Sequence, residues 1–248
     1  MEVFGNYDFQ KLEQYLCRAR VESIMGMMVP GTNYTFLLRL RDSYSDPNVL
    51  AVYKPVRGTN PLYDFPVTTL HKRELAAYKL SRYLGWPNIP PTVIRSDLPH
   101  GEGMLQAYID FVPNEHYATL RERFPDYFMK VVVFDLITNN ADRKSGHCLL
   151  DSKGIIWVID HGLTFHVQPK YRSVIWDFAG QPLPSELVPK LQELAEDIEH
   201  KRGIALELSK LLSAEEVVML GRRTKSILDE KWKFPVPVSY RQIPWPPL

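Results

Sequence analysis

The sequence contains little cysteine and no long apolar run. Only two of its 248 residues are cysteines, Cys17 and Cys148, which are too few for a disulfide framework or a four-cysteine zinc site. No stretch approaches the roughly 18 apolar residues that predict a membrane-spanning helix. The first residues show no basic start followed by an apolar run, as a signal peptide would. We therefore expect a reduced, cytoplasmic protein without integral membrane association.

The sequence also lacks an excess of charge of either sign. Thirty lysines and arginines face 29 aspartates and glutamates, which gives a formal net charge of +1. This balance argues against a nucleic-acid-binding protein that neutralises many phosphates, and against a polybasic membrane anchor. Glycine is scarcer than proline, with 13 residues against 20, so we expect many short elements joined by turns.

Strand-like segments dominate the first half of the chain. Residues 8–20 predict a short polar helix, and three apolar runs between residues 21 and 55 predict antiparallel strands joined by hairpins. Residues 70–84 carry apolar side chains at helical spacing. Two further extended runs follow within residues 92–111.

Helices dominate the second half. Residues 118–138 predict one helix, and a polar loop separates it from a pair of short strands. The last third is helical up to a tail from residue 231, rich in proline and aromatic residues, which we expect to pack back on the helices. The chain is therefore predicted to be an α+β protein with two lobes, a strand-rich N-terminal lobe of residues 1–112 and a helical C-terminal lobe of residues 113–248.

Two aspartates carry the strongest functional signal. Asp142 lies in the polar loop NNADRKSGH, and Asp160 lies directly after a predicted buried strand, two residues before Gly162. Phosphoryl transfer uses one carboxylate to orient or deprotonate the attacking hydroxyl and a second to hold Mg²⁺ against the phosphates. A loop, a strand pair and a second loop would place both carboxylates at one cleft.

A lysine, a glutamate and a glycine-bearing hairpin precede these aspartates. Lys54 ends an apolar strand, where an ammonium group needs a phosphate or an acidic partner. Glu74 lies on the helix predicted next, and a strand lysine paired to a helix glutamate is how kinase folds direct an ammonium at ATP phosphates. The hairpin holds Gly31, Thr32 and Asn33, and its backbone could approach a phosphate closely.

Taken together, these segments resemble a known family. The stretches AVYKPVRG, LHKRELAAYKLSRYLGW and FDLITNNADRKSGHCLL with WVIDHGLTFH resemble the phosphatidylinositol 3-/4-kinase-like group of the protein-kinase-like fold. With the hairpin they span about residues 21–166. The nearest resemblance is to small bacterial proteins of unknown substrate that are related to type II phosphatidylinositol 4-kinases. It implies an ATP-dependent phosphotransferase that uses Mg²⁺ or Mn²⁺ and a hydroxyl acceptor, whether a small molecule, a lipid or a protein.

The resemblance also implies roles for individual residues. The catalytic group would be Asp142 with its neighbour Arg143, and Asp160 would bind the metal with His147. The remaining residues would bind ATP, with Lys54 and Glu74 at the phosphates, Gly31, Thr32 and Asn33 above them, and Gln106 and Tyr108 at the adenine.

Two departures from the family pattern bear on the metal and the substrate. His147 occupies the position, five residues after Asp142, where the family usually has an asparagine that binds the metal. Imidazole suits softer ions than Mg²⁺. Only Lys170 and Arg172 follow Asp160 closely as cations, which is fewer than an inositol phosphate headgroup would need. Specificity for that lipid is therefore not expected.

Three other functions stay open on the sequence. With metal binding impaired at His147, the protein would be a nucleotide-binding pseudokinase or a protein-interaction module, with the tail as the segment that contacts a protein partner. Transfer of AMP in place of phosphate would use the same nucleotide site. A metal-dependent hydrolase would draw its ligands from five side chains within 25 residues, Asp142, His147, Asp160, His161 and His166, although they lack the HExxH spacing.

Overall fold

Strands outnumber helices in the described part of the first half of the chain. The computed structural model describes residues 3–4, 7–28, 34–42 and 49–248. The elements of this half, in chain order, are β1 (Val3–Phe4), β2 (Tyr7–Asp8), α1 (Phe9–Arg18), β3 (Arg20–Met27), β4 (Phe36–Arg41), β5 (Val49–Pro55), α2 (Leu70–Leu84), β6 (Thr92–Arg95) and β7 (Gly103–Ala107). Among the described residues, β3, β4, β5, β7 and β6 form one antiparallel sheet in that spatial order. The predicted combination of an antiparallel sheet with helices is confirmed.

Side chains of β5 alternate between the two faces of this sheet. Ala51 and Tyr53 are fully buried on one face, in a cluster that includes Leu16 of α1. Val52 and Lys54 point to the opposite face because successive strand residues alternate. The lysine singled out from the sequence therefore emerges on the face turned away from α1.

The second half opens with two short helices in place of the single helix predicted over residues 118–138. Its elements are α3 (Tyr117–Leu120), α4 (Pro125–Thr138), β8 (Cys148–Leu150), β9 (Ile156–Val158), α5 (Val188–Glu199), α6 (Ile204–Leu208) and α7 (Ala214–Ile227). The single helix is wrong because Pro125 disfavours helical backbone in the residue before it, while it suits the first position of a new helix. The predicted strand pair is confirmed as β8 and β9. None of the helices in the described ranges combines the length and apolar composition needed to cross a membrane.

Two hydrophobic clusters hold the described chain together. The smaller lies between α1 and the sheet, and the larger fills the helical half. Helix α2 contacts β6 and β7, yet its buried Ala76, Tyr78 and Leu80 belong to the larger cluster. The boundary between residues 112 and 113 stays a prediction, and α2 packs against both sides of it.

A buried ion pair ties α2 to the helical half. Arg73 is 3% exposed and donates hydrogen bonds to the carboxylate of Glu216 in α7 and, at 2.5 Å, to the carbonyl oxygen of Thr164. Separating such a pair would leave an unpaired charge out of water, which is strongly unfavourable. The position of α2, and with it that of Glu74, is therefore set by the helical half.

The tail from residue 231 runs along the helical half and reaches the loop after α4. Phe234 is 2% exposed and packs against Phe178. Further on, the backbone N–H of Ser145 donates to the carbonyl oxygen of Pro247 at 2.9 Å. Trp245 stays exposed over 88% of its surface. The expected packing of the tail is thus present at Phe234 and absent at Trp245, and contact of the tail with a protein partner stays a prediction.

Candidate active site

An ammonium group held by two carboxylates lies at the centre of the site. Lys54 Nζ is 2.9 Å from Glu74 Oε1 and 2.9 Å from Asp160 Oδ1. Burial disfavours the charge of Lys54, but the two carboxylates outweigh it and raise the pKa of the ammonium above its ordinary value. The lysine is therefore charged at neutral pH, as phosphate binding requires.

Glu74 joins β5, α2 and the segment after β9. Its side chain is buried, and its second oxygen, Oε2, accepts the backbone N–H of His161 at 2.9 Å. One carboxylate thus holds both Lys54 and the backbone next to Asp160. Because Glu74 lies on α2, the position of that helix determines where Glu74 meets Lys54 and the backbone next to Asp160.

Asp160 follows β9 in a backbone conformation that few residues other than glycine adopt. Its φ is 63°, in the left-handed region that aspartate enters more readily than most residues. The ammonium of Lys54 lowers the pKa of the Asp160 carboxyl well below its usual range, against the opposing effect of burial. The carboxylate is therefore ionised at physiological pH, and the side chain is 46% exposed, so a divalent cation can reach it.

Asp142 is held in the loop that leaves α4. The side chain of Asn140 accepts the N–H of Asp142 at 3.0 Å and donates to Asp135 of α4 at 2.9 Å. Burial raises the pKa of Asp142 to about 6, with Lys144 acting against the shift and the carboxylate of Asp160 adding to it. A carboxyl group whose pKa lies near the working pH suits a general base.

His147 contacts the metal-binding aspartate predicted from the sequence. Its Nε2 lies 3.4 Å from Asp160 Oδ2. Burial lowers the pKa of His147 to about 4, although the carboxylate of Asp160 acts in the opposite direction. The imidazole is therefore neutral at pH 7, the form in which histidine binds metals.

All of these groups except His147 line one cavity of about 260 Å³. Lys54, Asp142 and Asp160 line it together. The structure thus brings the predicted phosphate lysine and both predicted aspartates to one place.

The two described residues that follow the predicted hairpin belong to the lining of the same cavity. The predicted phosphate-covering residues Gly31, Thr32 and Asn33 lie outside the described residues. Tyr34 and Thr35, which follow them directly, line the cavity. Contact between the hairpin and a nucleotide stays a prediction.

The two residues predicted at the adenine are not part of the cavity lining. Gln106 is buried in β7 and donates from Nε2 to Thr92 Oγ1 at 2.8 Å. Tyr108 follows β7, and its backbone N–H donates to the carbonyl oxygen of Leu50 at 3.0 Å. The side-chain amide of Gln106 and the backbone N–H of Tyr108 are therefore both occupied within the protein, and an adenine contact at these residues stays a prediction.

Arg143 lies in the interior, behind the loop that carries Asp142, and is not part of the cavity lining. Its side chain is fully buried, and it forms a two-pronged ion pair with Asp135 at 2.7 and 2.9 Å. It also donates to the carbonyl oxygen of Ile159 at 3.0 Å, and its Nη2 lies 2.8 Å from His161 Nε2. Arg143 therefore links α4 to the segment that carries Asp160.

Sequence reasoning missed two buried groups near the site. Asp135 is fully buried within the apolar run VVVFDLIT, and a carboxylate in such a run signals a charged partner. That signal indicates a buried cationic partner for Asp135 but does not identify it as Arg143. His71 lines the cavity from α2, and no pattern in the sequence sets it apart from other polar helix residues.

The five ligands of a metal-dependent hydrolase do not come together. His161 is buried against Arg143, and the ring of His166 packs on Phe65 with centroids 5.2 Å apart. Within the described ranges, no three His, Cys, Asp or Glu side chains are placed to hold a metal ion. Asp160 and His147 would need the phosphates of a nucleotide to complete a metal site.

A comparison with known proteins places the chain in a family. Protein Rv2133c of Mycobacterium tuberculosis (strain ATCC 25618 / H37Rv) is 35% identical in an alignment that covers 90% of this chain and 91% of that protein. The chain belongs to the family of Protein Rv2133c. The match to Protein Rv2133c extends over nearly all of both chains, so it reflects more than one shared motif.

A likeness to a solved structure is weaker. The crystal structure of the Helicobacter pylori proinflammatory kinase CtkA is similar with a TM-score of 0.49 and 12% sequence identity, over 86% of this chain and 92% of that chain. At this score the likeness does not establish a shared fold. No family model matches the chain.

Proposed function

We propose that the protein is an ATP-dependent, kinase-like phosphotransferase that acts on a hydroxyl acceptor. The observation that carries the proposal is the ammonium of Lys54, bonded at 2.9 Å to both Glu74 and Asp160, in a cavity that Asp142 also lines. A lysine fixed by a helix glutamate offers a cation to phosphates, and an aspartate with a raised pKa offers a base. The finer assignment to the phosphatidylinositol 3-/4-kinase-like group rests on the sequence resemblance alone.

Each residue has a separate part in the proposed reaction. Lys54 neutralises phosphate oxygens, Glu74 fixes the lysine, and Asp142 accepts the proton of the attacking hydroxyl. The acceptor oxygen bonds to the γ-phosphorus while the bond from that phosphorus to the β–γ bridging oxygen breaks, and ADP leaves. Most of the rate enhancement would come from positioning and charge stabilisation.

The carboxylate of Asp160 fits the divalent ion that accompanies ATP. Mg²⁺ prefers oxygen ligands and is usually held by one or two carboxylates together with substrate phosphates and water. Asp160 offers an ionised, partly exposed carboxylate, and the neutral His147 beside it suits Mn²⁺ better than Mg²⁺. Bound there, the ion would offset the charge of the phosphates.

Replacing Asp160 by asparagine tests the proposed nucleotide site. We expect ATP with Mg²⁺, at 100 times its Kd, to raise the melting temperature of the unmodified protein by about 5 to 10 °C. In Asp160→Asn, ATP should still bind through Lys54, but the additional stabilisation from Mg²⁺ should disappear because the anionic ligand is gone. Thermal-shift titrations of ATP with and without Mg²⁺ measure the stabilisation by ATP alone and the additional stabilisation from Mg²⁺.

Asp97→Asn is the matched control for this experiment. Asp97 is an exposed carboxylate that is also paired to a cation, Arg95, but it is not part of the cavity lining. Its variant should keep the full effect of Mg²⁺. An unmodified protein that ATP does not stabilise, with or without Mg²⁺ or Mn²⁺, would contradict the proposed function.

The pKa of Asp142 predicts how the reaction depends on pH. A base must be deprotonated, so kcat/KM should be high above a pH of about 6 and fall as the pH drops through that value. Lys144→Gln removes a cation that lowers the pKa of Asp142. In this variant, the fall of kcat/KM should therefore occur at higher pH. Rates measured from pH 5 to 8 test this, and identical profiles for the two proteins would count against Asp142 as the base.

Replacing His147 by asparagine separates a kinase from a nucleotide-binding pseudokinase. An amide oxygen is a harder ligand than imidazole, so His147→Asn should lower the Mg²⁺ concentration needed for half-maximal rate several-fold and weaken the preference for Mn²⁺. Rates over a range of both ions measure this. If both proteins bind ATP and neither turns it over, the pseudokinase alternative is correct and the proposed reaction is not.

A further inference from the structure

The cavity continues past Lys54 on the side away from the predicted adenine site. Lys54 pairs with Met104 across β5 and β7. Gln106 lies further along β7 and Tyr108 directly after its end, about 7 and 13 Å beyond Met104 at about 3.3 Å per residue. Val56, which also lines the cavity, lies in the opposite direction because the two strands are antiparallel. A nucleotide with its base near Gln106 would leave this part of the cavity empty.

Apolar side chains from three segments line that part. We call it the far end, and define it by Val56 and Leu62 after β5, Val67 just before α2, Leu70 at the first position of α2, and Leu163 after Asp160; Thr59, between Val56 and Leu62, lines the cavity as well. Phosphate groups need cations and N–H donors, which these side chains lack. The far end is suited instead to a hydrocarbon surface.

One buried polar group at the cavity wall has an unused hydrogen-bonding site. His71 is 5% exposed, and its Nε2 lies 3.1 Å from Glu102 Oε1. Among the described residues, neither Nδ1 nor Nε2 has a hydrogen-bond partner of good geometry. Burial lowers the pKa of His71, so the ring is neutral and one of its two nitrogens can accept a hydrogen bond. A buried group of this kind is normally paired, and a ligand hydroxyl would pair it.

The segment between β5 and α2 is anchored beside the cavity. Asp64 forms an ion pair with Lys170 at 2.6 Å, and Phe65 is buried beneath the guanidinium of Arg73, 5.3 Å from its ring centroid. Leu62 of the far end belongs to this anchored segment. A protein acceptor would need an open groove here, whereas a small molecule would fit the cavity.

We propose that the far end is the acceptor site and that the acceptor is a small molecule with a hydrocarbon body. It would present one hydroxyl to Asp142 and a second hydrogen-bond donor to His71. This inference rests on the proposed phosphotransfer. The reacting oxygen forms the bond to the γ-phosphorus of ATP, its proton passes to the Asp142 carboxylate, and ADP is the leaving group.

Binding of simple alcohols to the full chain tests the site without knowledge of the acceptor. We expect 1-butanol, 1-pentanol and 1-hexanol to shift the ¹³C-methyl NMR signals of Leu62, Val67, Leu70 and Leu163. Each added methylene should lower the Kd about fourfold. Leu62→Trp should fill the far end and raise the Kd for 1-hexanol at least tenfold. Leu206→Trp, at an exposed leucine of α6, should leave that Kd unchanged.

The contribution of His71 is tested with two isomers. The unmodified protein should prefer 1-butanol to methyl propyl ether, which has no hydroxyl, about fivefold. His71→Leu should lose this preference. Retention of the preference in His71→Leu would overturn the role given to His71.

Competition with nucleotide separates this inference from the proposed function. A non-hydrolysable ATP analogue with Mg²⁺ should bind together with 1-hexanol. Mutual exclusion, no dependence on chain length, or methyl shifts outside the far end would each overturn the acceptor site. If the alcohols bind as expected and the analogue does not bind at all, the proposed phosphotransferase is wrong, although the cavity still takes an apolar ligand.

Discussion

Asp142→Asn is expected to lower kcat by about 10²- to 10⁴-fold, the range that a positioned general base contributes. Asparagine keeps the size of the side chain but cannot accept the proton of the attacking hydroxyl. The Kd for ATP should stay within a few-fold, because Lys54, Glu74 and Asp160 hold one another without Asp142. Removal of the base should therefore act on the rate and spare nucleotide binding.

Single-turnover rates and ATP binding, measured on the same preparation, separate these two effects. Asp126→Asn is a suitable control because Asp126 lies in the first turn of α4, on the element that leads into the same loop. Its kcat should equal that of the unmodified protein. Full activity in Asp142→Asn would remove Asp142 from the mechanism.

Arg143→Met is expected to destabilise the protein by about 3 to 5 kcal/mol, the usual effect of removing one member of a buried ion pair. Both Arg143 and Asp135 are fully buried, so the variant leaves a carboxylate out of water without a cation. Arg143 also donates to the carbonyl oxygen of Ile159, which would lose that partner. The loss should appear as a lower midpoint in urea denaturation.

The surface pair of Arg121 and Asp177 provides the comparison. Arg121→Met should cost less than about 1 kcal/mol, because its side chain is 47% exposed and water screens the pair. The double variant Asp135→Leu/Arg143→Met should regain part of the lost stability, since no unpaired charge remains. An Arg143→Met protein that is as stable as the unmodified one but inactive would contradict this structural role and favour the catalytic role given to Arg143 from the sequence.

The parts of the site that could be predicted from the sequence are those in which a residue's neighbours along the chain determine its environment. Lys54 ends a strand whose apolar residues alternate, and Asp160 follows a buried strand, so both were expected at the end of an element. The structure places Lys54 Nζ 2.9 Å from Asp160 Oδ1. Glu74 could be found in the same way, from its position on a helix after the strand.

Other parts depended on contacts between distant segments. The direction of Arg143 is decided by Asp135, Ile159 and His161, and nothing in the loop itself shows whether the arginine faces the cavity or the interior. The segment of residues 56–66 has no period, and its role as a cavity wall depends on anchors such as Lys170. The apolar pattern of residues 118–138 predicts one helix, but Pro125 divides the segment into α3 and α4.

The hydrogen bond from Ser145 to Pro247 has a consequence for how the protein is made. The loop that carries Asp142 is held partly by residues that the ribosome adds about a hundred codons later. Early segments begin to fold during synthesis, but this loop gains its last support only after residue 247 has been translated and has left the exit tunnel. A nascent chain, or one released by a premature stop within the last codons before residue 247, would carry every residue of the candidate site and still lack that support.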